Sequence, residues 1–220
     1  MSVHLQKAID GLKKRILELS AVVEESVSKA LRAIEERNGA LAQEVIDGDT
    51  RVDMLEVEVE EECLKILALH QPVAIDLRFI VAVLKINNDL ERIADVAANI
   101  ASRARRLSLV TTPAVVSVDF HGSELKAQQM LRKSLEALVN LDEDVAKWVC
   151  AADREIDEAN RSVHQQVLRA IKAHPEDAER LILLLSVSRN LERLGDHATN
   201  IAEDVIYMVR GEIVRHTRVE

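Results

Sequence analysis

The sequence predicts an all-α protein of two similar three-helix bundles, six long helices in all, arising by internal duplication. Three observations carry this prediction. Apolar residues recur in helical steps over most of the chain. All three prolines (Pro72, Pro113, Pro175) fall between the periodic stretches. The two halves also align with each other residue by residue.

The first helix is the clearest. Leu5, Ile9, Leu12, Ile16, Leu19, Val23, Val27, Ala30 and Ile34 follow in steps of three or four, which places them on one stripe of a helix covering the first 37 residues. Asn38-Gly39 is read as its stop. A second helix is predicted from Leu41 to Leu69, with Gly48 a weak point, and His70-Gln71-Pro72 breaks it because proline cannot sit in a helix interior. A third runs from Ile75 to Arg106. Residues 108–122, with Thr111-Thr112-Pro113, form the only long irregular stretch and the expected boundary between halves. A fourth helix is expected from Ser123 to Leu141, a fifth ending near Ala173, and a sixth from Pro175 to Arg210. The domain reading is thus 1–107, a linker at 108–122, 123–213, and a tail at 214–220.

The duplication is visible in identities. At an offset of 104 residues Leu31 matches Leu135, Ala33 matches Ala137, Ala42 matches Ala146, Val45 matches Val149, Asp49 matches Asp153, Asp53 matches Asp157, Leu64 matches Leu168 and His70 matches His174. After a three-residue gap at a predicted loop, the offset becomes 101, and Leu90-Glu91-Arg92, Asp95 and Asn99-Ile100-Ala101 match Leu191-Glu192-Arg193, Asp196 and Asn200-Ile201-Ala202. One gap, falling in a loop, is what a copied helical unit leaves behind.

Composition narrows the function. Aromatics are 2% of residues and net charge is −9, so neither base-stacking platforms nor a general attraction to phosphate backbones is expected, and nucleic acid is not an expected partner. Two distant cysteines, Cys63 and Cys150, form no disulfide framework and no zinc motif, which suits a reducing compartment. With no apolar signal core and no run long enough to span a bilayer, the expected location is cytoplasmic, with membrane contact only through partners. Phosphate-loop, dinucleotide and nucleophile-elbow motifs are missing, and the sequence supplies no case for catalysis.

Four acidic pairs spaced i, i+4 recur at equivalent places: Asp49/Asp53, Glu91/Asp95, Asp153/Asp157 and Glu192/Asp196. That spacing puts both carboxylates of a pair on one helix face, about 6 Å apart. Asn99 and Asn200 extend the face with amide oxygens. At about 100° per residue, Glu91, Asp95 and Asn99 centre roughly opposite the apolar stripe Ile86, Leu90, Ile93, Ala97, Ile100. Asp49, Asp53, Glu56 and Glu60 lie about 85° from the stripe of the second helix. Such rows are either solvated polar faces, which a helix tolerates at roughly 0.2–0.5 kcal/mol per like-charge pair, or oxygen-ligand sites for hard cations. Four pairs in register across a repeat keep the second reading in play. The Glu-x-x-His motif of di-iron bundles is missing. His164 and His197 are candidate auxiliary ligands, though each is more often an ordinary half-exposed side chain. His70 and His174 are better explained as helix C-terminal residues. Gly195, costly inside a helix, is read as a close-packing residue, with small Ala94 as its repeat mate.

The strings Gln71-Pro72-Val73-Ala74-Ile75-Asp76-Leu77-Arg78, Leu90-Glu91-Arg92-Ile93-Ala94-Asp95 and Leu191 through Asp204 resemble the PhoU family across nearly the whole chain. The resemblance implies paired three-helix bundles related by a pseudo-twofold, and a homodimer. It implies a negative regulator of phosphate uptake and of the phosphate-starvation response, linking the phosphate ABC transporter ATPase to the sensor histidine kinase. It further implies metal ions, with iron, zinc, manganese, magnesium and calcium all open, held by Asp49, Asp53, Glu91, Asp95 and Asn99 in the first half. Asp153, Asp157, Glu192, Asp196 and Asn200 take those places in the second. One departure stands out: the second half has Asn160 and His164 where the first has Glu56 and Glu60. A metal-storage or structural helical protein without signalling is the alternative.

Overall fold

A computed structural model describes residues 3–110 and 121–212. Its elements are α1 (Val3–Glu35), α2 (Gly39–His70), α3 (Ala74–Ser108), α4 (His121–Asn140), α5 (Glu143–Ala173), a 3-10 turn (Pro175–Asp177) and α6 (Ala178–Arg210). The protein is all-α, with two three-helix units, α1–α3 and α4–α6. Within each unit every helix packs on the other two. Most of the predicted linker, residues 111–120, and the tail from 213 lie outside the described residues.

The α1 stripe is buried as its period demands, from Leu5 to Ala30, with Ile34 half-buried at the end. Asn38 does more than stop α1. It begins α2, its side-chain oxygen accepting from the Leu41 amide at 3.0 Å. Its repeat mate Asp142 caps α5 in the same way, accepting from Asp144 and Val145 at 3.0 and 3.1 Å. The residues preceding these caps, Arg37 and Leu141, both adopt left-handed backbone, φ 49° and 50°. The duplication therefore preserves the turn as well as the helices. Gly48 does not interrupt α2, whose flanking turns are held by Val45 and Val52 in the core.

The units join through α3 and α6, which pack antiparallel. Three contacts hold one constant register: Lys85 Nζ to Asp204 Oδ1 at 3.2 Å, Asn200 Nδ2 to Asp89 Oδ1 at 3.0 Å, and Arg103 Nε to the Ser186 hydroxyl at 3.1 Å. α3 is consequently buried on two sides. One side is the predicted stripe. The other includes Ala82, Val83, Val96, Ala101 and Ala104, small residues that let helices approach closely. No helix among the described residues is long and apolar enough to cross a membrane.

Candidate functional site

The acidic rows do lie outside the hydrophobic interior. α2 and α3 run side by side, and their rows meet in one groove. α5 and α6 form the equivalent groove in the second half.

In the first groove Asp49, Asp53, Glu56 and Glu60 come from α2, and Glu91 and Asp95 from α3. Burial raises the Asp49 carboxyl above the usual range, and the charges of Asp53 and Asp95 push it further. Glu91 is raised by burial and by Asp95, Asp53 and Asp49, with Arg92 opposing. Glu56 is raised by burial, then by Glu60, Glu91 and Asp53. Mutual repulsion between neighbouring helices has the effect expected of clustered carboxylates. Glu91 Oε2 is buried and accepts no hydrogen bond, with Arg92 Nε 3.4 Å away outside hydrogen-bonding geometry. Asn87, buried on α3, ties the helices together. Its Nδ2 donates to the Glu56 carbonyl and to Glu56 Oε1, both at 3.0 Å.

The second groove has the same plan with fewer charges. Burial, then Asp196 and Asp157, push Asp153 up to about 6, while the Thr199 hydroxyl opposes the shift. Asp196 is raised by burial and by Asp157, with His197 and Arg193 opposing. Asn160 replaces Glu56, donating to Glu192 Oε2 at 2.8 Å and accepting from the Ser188 hydroxyl at 2.8 Å. The same helix-to-helix tether is thus rebuilt with roles exchanged. An amide on α3 reaches a carboxylate on α2 in one half. In the other, an amide on α5 reaches a carboxylate on α6.

Gly195 sits at the wall of this groove. A methyl at its α-carbon would lie 3.2 Å from Ile156 Cδ1 and 3.4 Å from Asp153 Oδ1. The glycine therefore serves close packing of α5 on α6, with the Asp153 carboxylate at contact distance beside it.

Not every predicted residue joins the grooves. The Asn99 amide oxygen accepts from Arg103 Nη1 at 2.9 Å, and its Nδ2 donates to the Asp95 carbonyl at 2.8 Å. Asn200 donates to Asp89, and His197 Nδ1 pairs with the same carboxylate at 2.8 Å. His197 and Asn200 thus serve the junction between halves. His164 is half-buried on α5. His174 caps α5 and its ring meets Glu176 at 3.3 Å. Sequence reasoning passed over Asn87, Ser188 and Asp89. The signal was present for the first two, since they are repeat mates and each reaches the position-56 or position-160 side chain.

Chemically, the grooves offer hard oxygen donors and unrelieved negative charge, which suit Mg²⁺, Ca²⁺, Mn²⁺ or iron better than a soft-ligand site would. Among the described residues no three acidic, histidine or cysteine side chains already converge into an ion cage. Holding a cation would require the two rows to draw inward, and the orphaned Glu91 oxygen is placed to do so.

Six long helices among the described residues, in two copied units with one carboxylate groove each, define a tandem helical-bundle protein built around paired acidic grooves. The PhoU domain model matches residues 16–104 and 125–205, and the chain belongs to the PhoU family. It is 34% identical to the phosphate-specific transport system accessory protein PhoU homolog of Pseudomonas aeruginosa, over 98% of this chain and 89% of that protein. It is 36% identical to the homolog of Aquifex aeolicus, over 99% of this chain and 98% of that one. The crystal structure of PhoU from Pseudomonas aeruginosa superposes with a TM-score of 0.91 at 33% identity, covering 94% of this chain and 99% of that one. The phosphate transport system regulatory protein PhoU from Streptococcus pneumoniae gives 0.88 at 26% identity, covering 96% and 99%.

Proposed function

We propose that this protein is a cytoplasmic, non-catalytic negative regulator of phosphate uptake and of the phosphate-starvation response. It acts as an adaptor between the phosphate ABC transporter ATPase and the sensor histidine kinase. The observation that carries this reading is near full-length similarity to proteins named for the phosphate-specific transport system, on a chain whose described residues gather carboxylates in two grooves. In the same reading the chain forms a homodimer.

The grooves hold metal ions. Asp49, Asp53, Glu91 and Asp95 are the ligands in the first half, with Glu56 and Glu60 beside them. Asp153, Asp157, Glu192 and Asp196 are the ligands in the second. Burial first, and then neighbouring carboxylates, raise Asp49, Glu91 and Asp153; a bound cation would neutralise the repulsive part, and so lock α2 to α3 and α5 to α6.

Deletion of the gene is expected to leave phosphate-responsive genes switched on in phosphate-rich medium. Normal repression in the deletion strain would refute the regulatory role. Metal analysis of the purified protein separates a regulator from a store: a few tightly held ions per chain fit the proposal, and dozens of releasable ions do not.

A further inference from the structure

α2 carries an apolar ridge on the face turned away from its own bundle. Thr50, Met54, Val57, Glu61, Leu64 and Ala68 follow in alternating steps of four and three, and all are exposed. At about 100° per residue they lie opposite the buried Val52, Val59, Cys63 and Ile66. Met54, Val57 and Leu64 are 57%, 49% and 53% exposed. Among the described residues α2 packs on α1 and α3 alone, and neither reaches this face.

The copied unit shows that the fold does not need this apolarity. At the same positions α5 carries Arg154, Glu158, Arg161, Gln165, Leu168 and Lys172, all exposed. α5 is as long as α2 to within one residue, and of the six only Leu168 is apolar. Large apolar side chains kept on one outer face, and replaced by charge on its copy, mark an interaction surface.

Shape and charge indicate what kind. The alternating spacing is that of a coiled-coil seam. From Thr50 to Leu64 the ridge runs for about 21 Å, at 1.5 Å per residue, which suits a second helix laid along it. Its flanks are acidic. On α2, Asp47, Asp53, Glu58, Glu60 and Glu61 stand against Arg51 and Lys65, and Lys65 is shared with Glu62 at 3.7 Å. α3 adds Glu91 and Asp95 against Arg92, and the groove behind Asp53 holds Asp49 and Glu56 as well. α1 lies on the other side, joined through the Arg15–Glu58 ion pair at 2.5 Å. It offers Lys7, Lys14 and Arg15 against Glu18, and beyond these Glu25 and Lys29 pair with each other at 2.8 Å. The cations of α1 are too few to reverse the sign set by α2 and α3.

We propose that the α2 ridge docks a basic amphipathic helix of a partner protein. The partner's apolar stripe lies on Met54, Val57 and Leu64, and its lysines or arginines reach the acids on either side. Methionine suits such a seat because its side chain adapts to the shape laid on it. A second copy of this chain fits less well. Twofold pairing of the ridge on itself sets the Asp53–Glu60 edge against its own image, acid against acid. The ridge lies beside the first groove and shares no apolar residue with it. Regulation of phosphate uptake does not require this contact, so the two readings stand or fall separately.

The test is fluorescence anisotropy of a labelled leucine–lysine peptide, patterned as an amphipathic helix long enough to span the ridge, titrated with the full chain in chelating buffer. Saturable binding is expected, weakening as salt rises. A peptide with the same leucines and glutamate for lysine should not bind. The triple variant Met54→Gln, Val57→Gln, Leu64→Gln keeps every charge and should lower affinity roughly ten-fold or more, with helical content and melting unchanged because all three side chains are exposed. Glu58→Gln with Glu61→Gln should lower it several-fold, and Leu168→Gln on α5 should leave it unchanged. The proposal fails if the wild-type chain ignores the lysine peptide, if the glutamate peptide binds as well, or if the triple variant binds as tightly as wild type. Equal loss in Leu168→Gln would likewise overturn it. So would sedimentation showing a wild-type dimer that the triple variant turns into monomer, which would make the ridge a contact between copies of the chain.

Discussion

Asp89 Oδ1 stands 2.8 Å from His197 Nδ1 across the seam between α3 and α6, where neither residue is more than slightly open to solvent. The same oxygen accepts from Asn200 at 3.0 Å. One buried carboxylate thus satisfies two polar side chains of the opposite half, at a point where both neighbouring helices are otherwise packed with aliphatic residues.

Removing it should cost more than removing any groove carboxylate. Asp89→Ala leaves His197 and Asn200 facing each other without their acceptor, and a loss of about 1–3 kcal/mol is expected. Asp95, whose side chain is 45% exposed among like charges, should cost nothing measurable on conversion to Ala, and relief of repulsion could make the change stabilising. Urea unfolding of the two variants at neutral pH, free of metal, compares them. Equal stabilities would show that Asp89 does not join the halves.

The sequence makes most of the fold legible because helical burial is periodic. α1 and the stripe Ile86, Leu90, Ile93, Ala97, Ile100 need only one buried face to be recognised. What it hides is the second buried face of α3. Asp89 sits beside Leu90 with no local mark of burial, since the α3–α6 seam is formed by a partner 111 residues away. A period reports that a face is buried, and not by what. The acidic rows were legible as rows, but their meeting in a groove depends on how α2 lies on α3, which no spacing within one helix encodes. The same gap explains why Asn99 and Asn200, in phase with the rows, turn to Arg103 and Asp89. Their side chains follow the nearest unsatisfied partner rather than the helical wheel.

The pH dependence of the metal-free protein should carry the mark of the grooves. Burial, with Asp196 and Asp157 beside it, pushes the Asp153 carboxyl up to about 6 in the folded chain from an ordinary 3.8. A carboxyl raised on folding favours the folded state when protonated. Its contribution is therefore complete below the lower value and is lost as pH rises through the higher one. Asp49, Glu56, Glu91 and Asp196 shift in the same direction. Glu143, held down at about 2 by its hydrogen bonds to Arg210 and Lys147, loses its contribution only in stronger acid. The chelated protein should accordingly be more stable near about pH 5 than near about pH 7.5. Asp153→Asn should flatten that difference by about 1 kcal/mol, allowing for solvent screening of a half-exposed group. An identical pH slope in the variant would remove Asp153 from the account.

Gly195 separates packing from site geometry. In Gly195→Ala, the helix gains about 1 kcal/mol of propensity against a methyl placed 3.2 Å from the mobile end of Ile156. Stability within about 1 kcal/mol of wild type is expected. Gly195→Leu cannot be absorbed this way, and it should cost about 1–3 kcal/mol while pushing the Asp153 carboxylate from its place. Thermal melts check the stabilities. A leucine variant as stable as wild type would mean that α5 and α6 are not held at this distance by the glycine.

The two grooves should differ in cation affinity in the direction set by two side chains. The first gathers Asp49, Asp53, Glu56, Glu60, Glu91 and Asp95, whereas Asn160 and His164 stand in for two of these carboxylates in the second. Each added carboxylate raises attraction for a hard cation and raises the repulsion that the empty groove must bear. Glu91→Ala with Asp95→Ala should therefore abolish the tighter Mn²⁺ binding phase in calorimetry while circular dichroism stays helical, and should leave the weaker phase in place. Asn160→Glu should do the reverse. It exchanges the 2.8 Å amide bond to Glu192 for a like charge, so the metal-free protein should lose about 1 kcal/mol of stability while the weaker phase tightens several-fold. A double Ala variant that keeps both phases would place the ions elsewhere. An Asn160→Glu variant that loses stability without gaining affinity would show that the position-160 side chain tethers α5 to α6 and has no part in holding a cation.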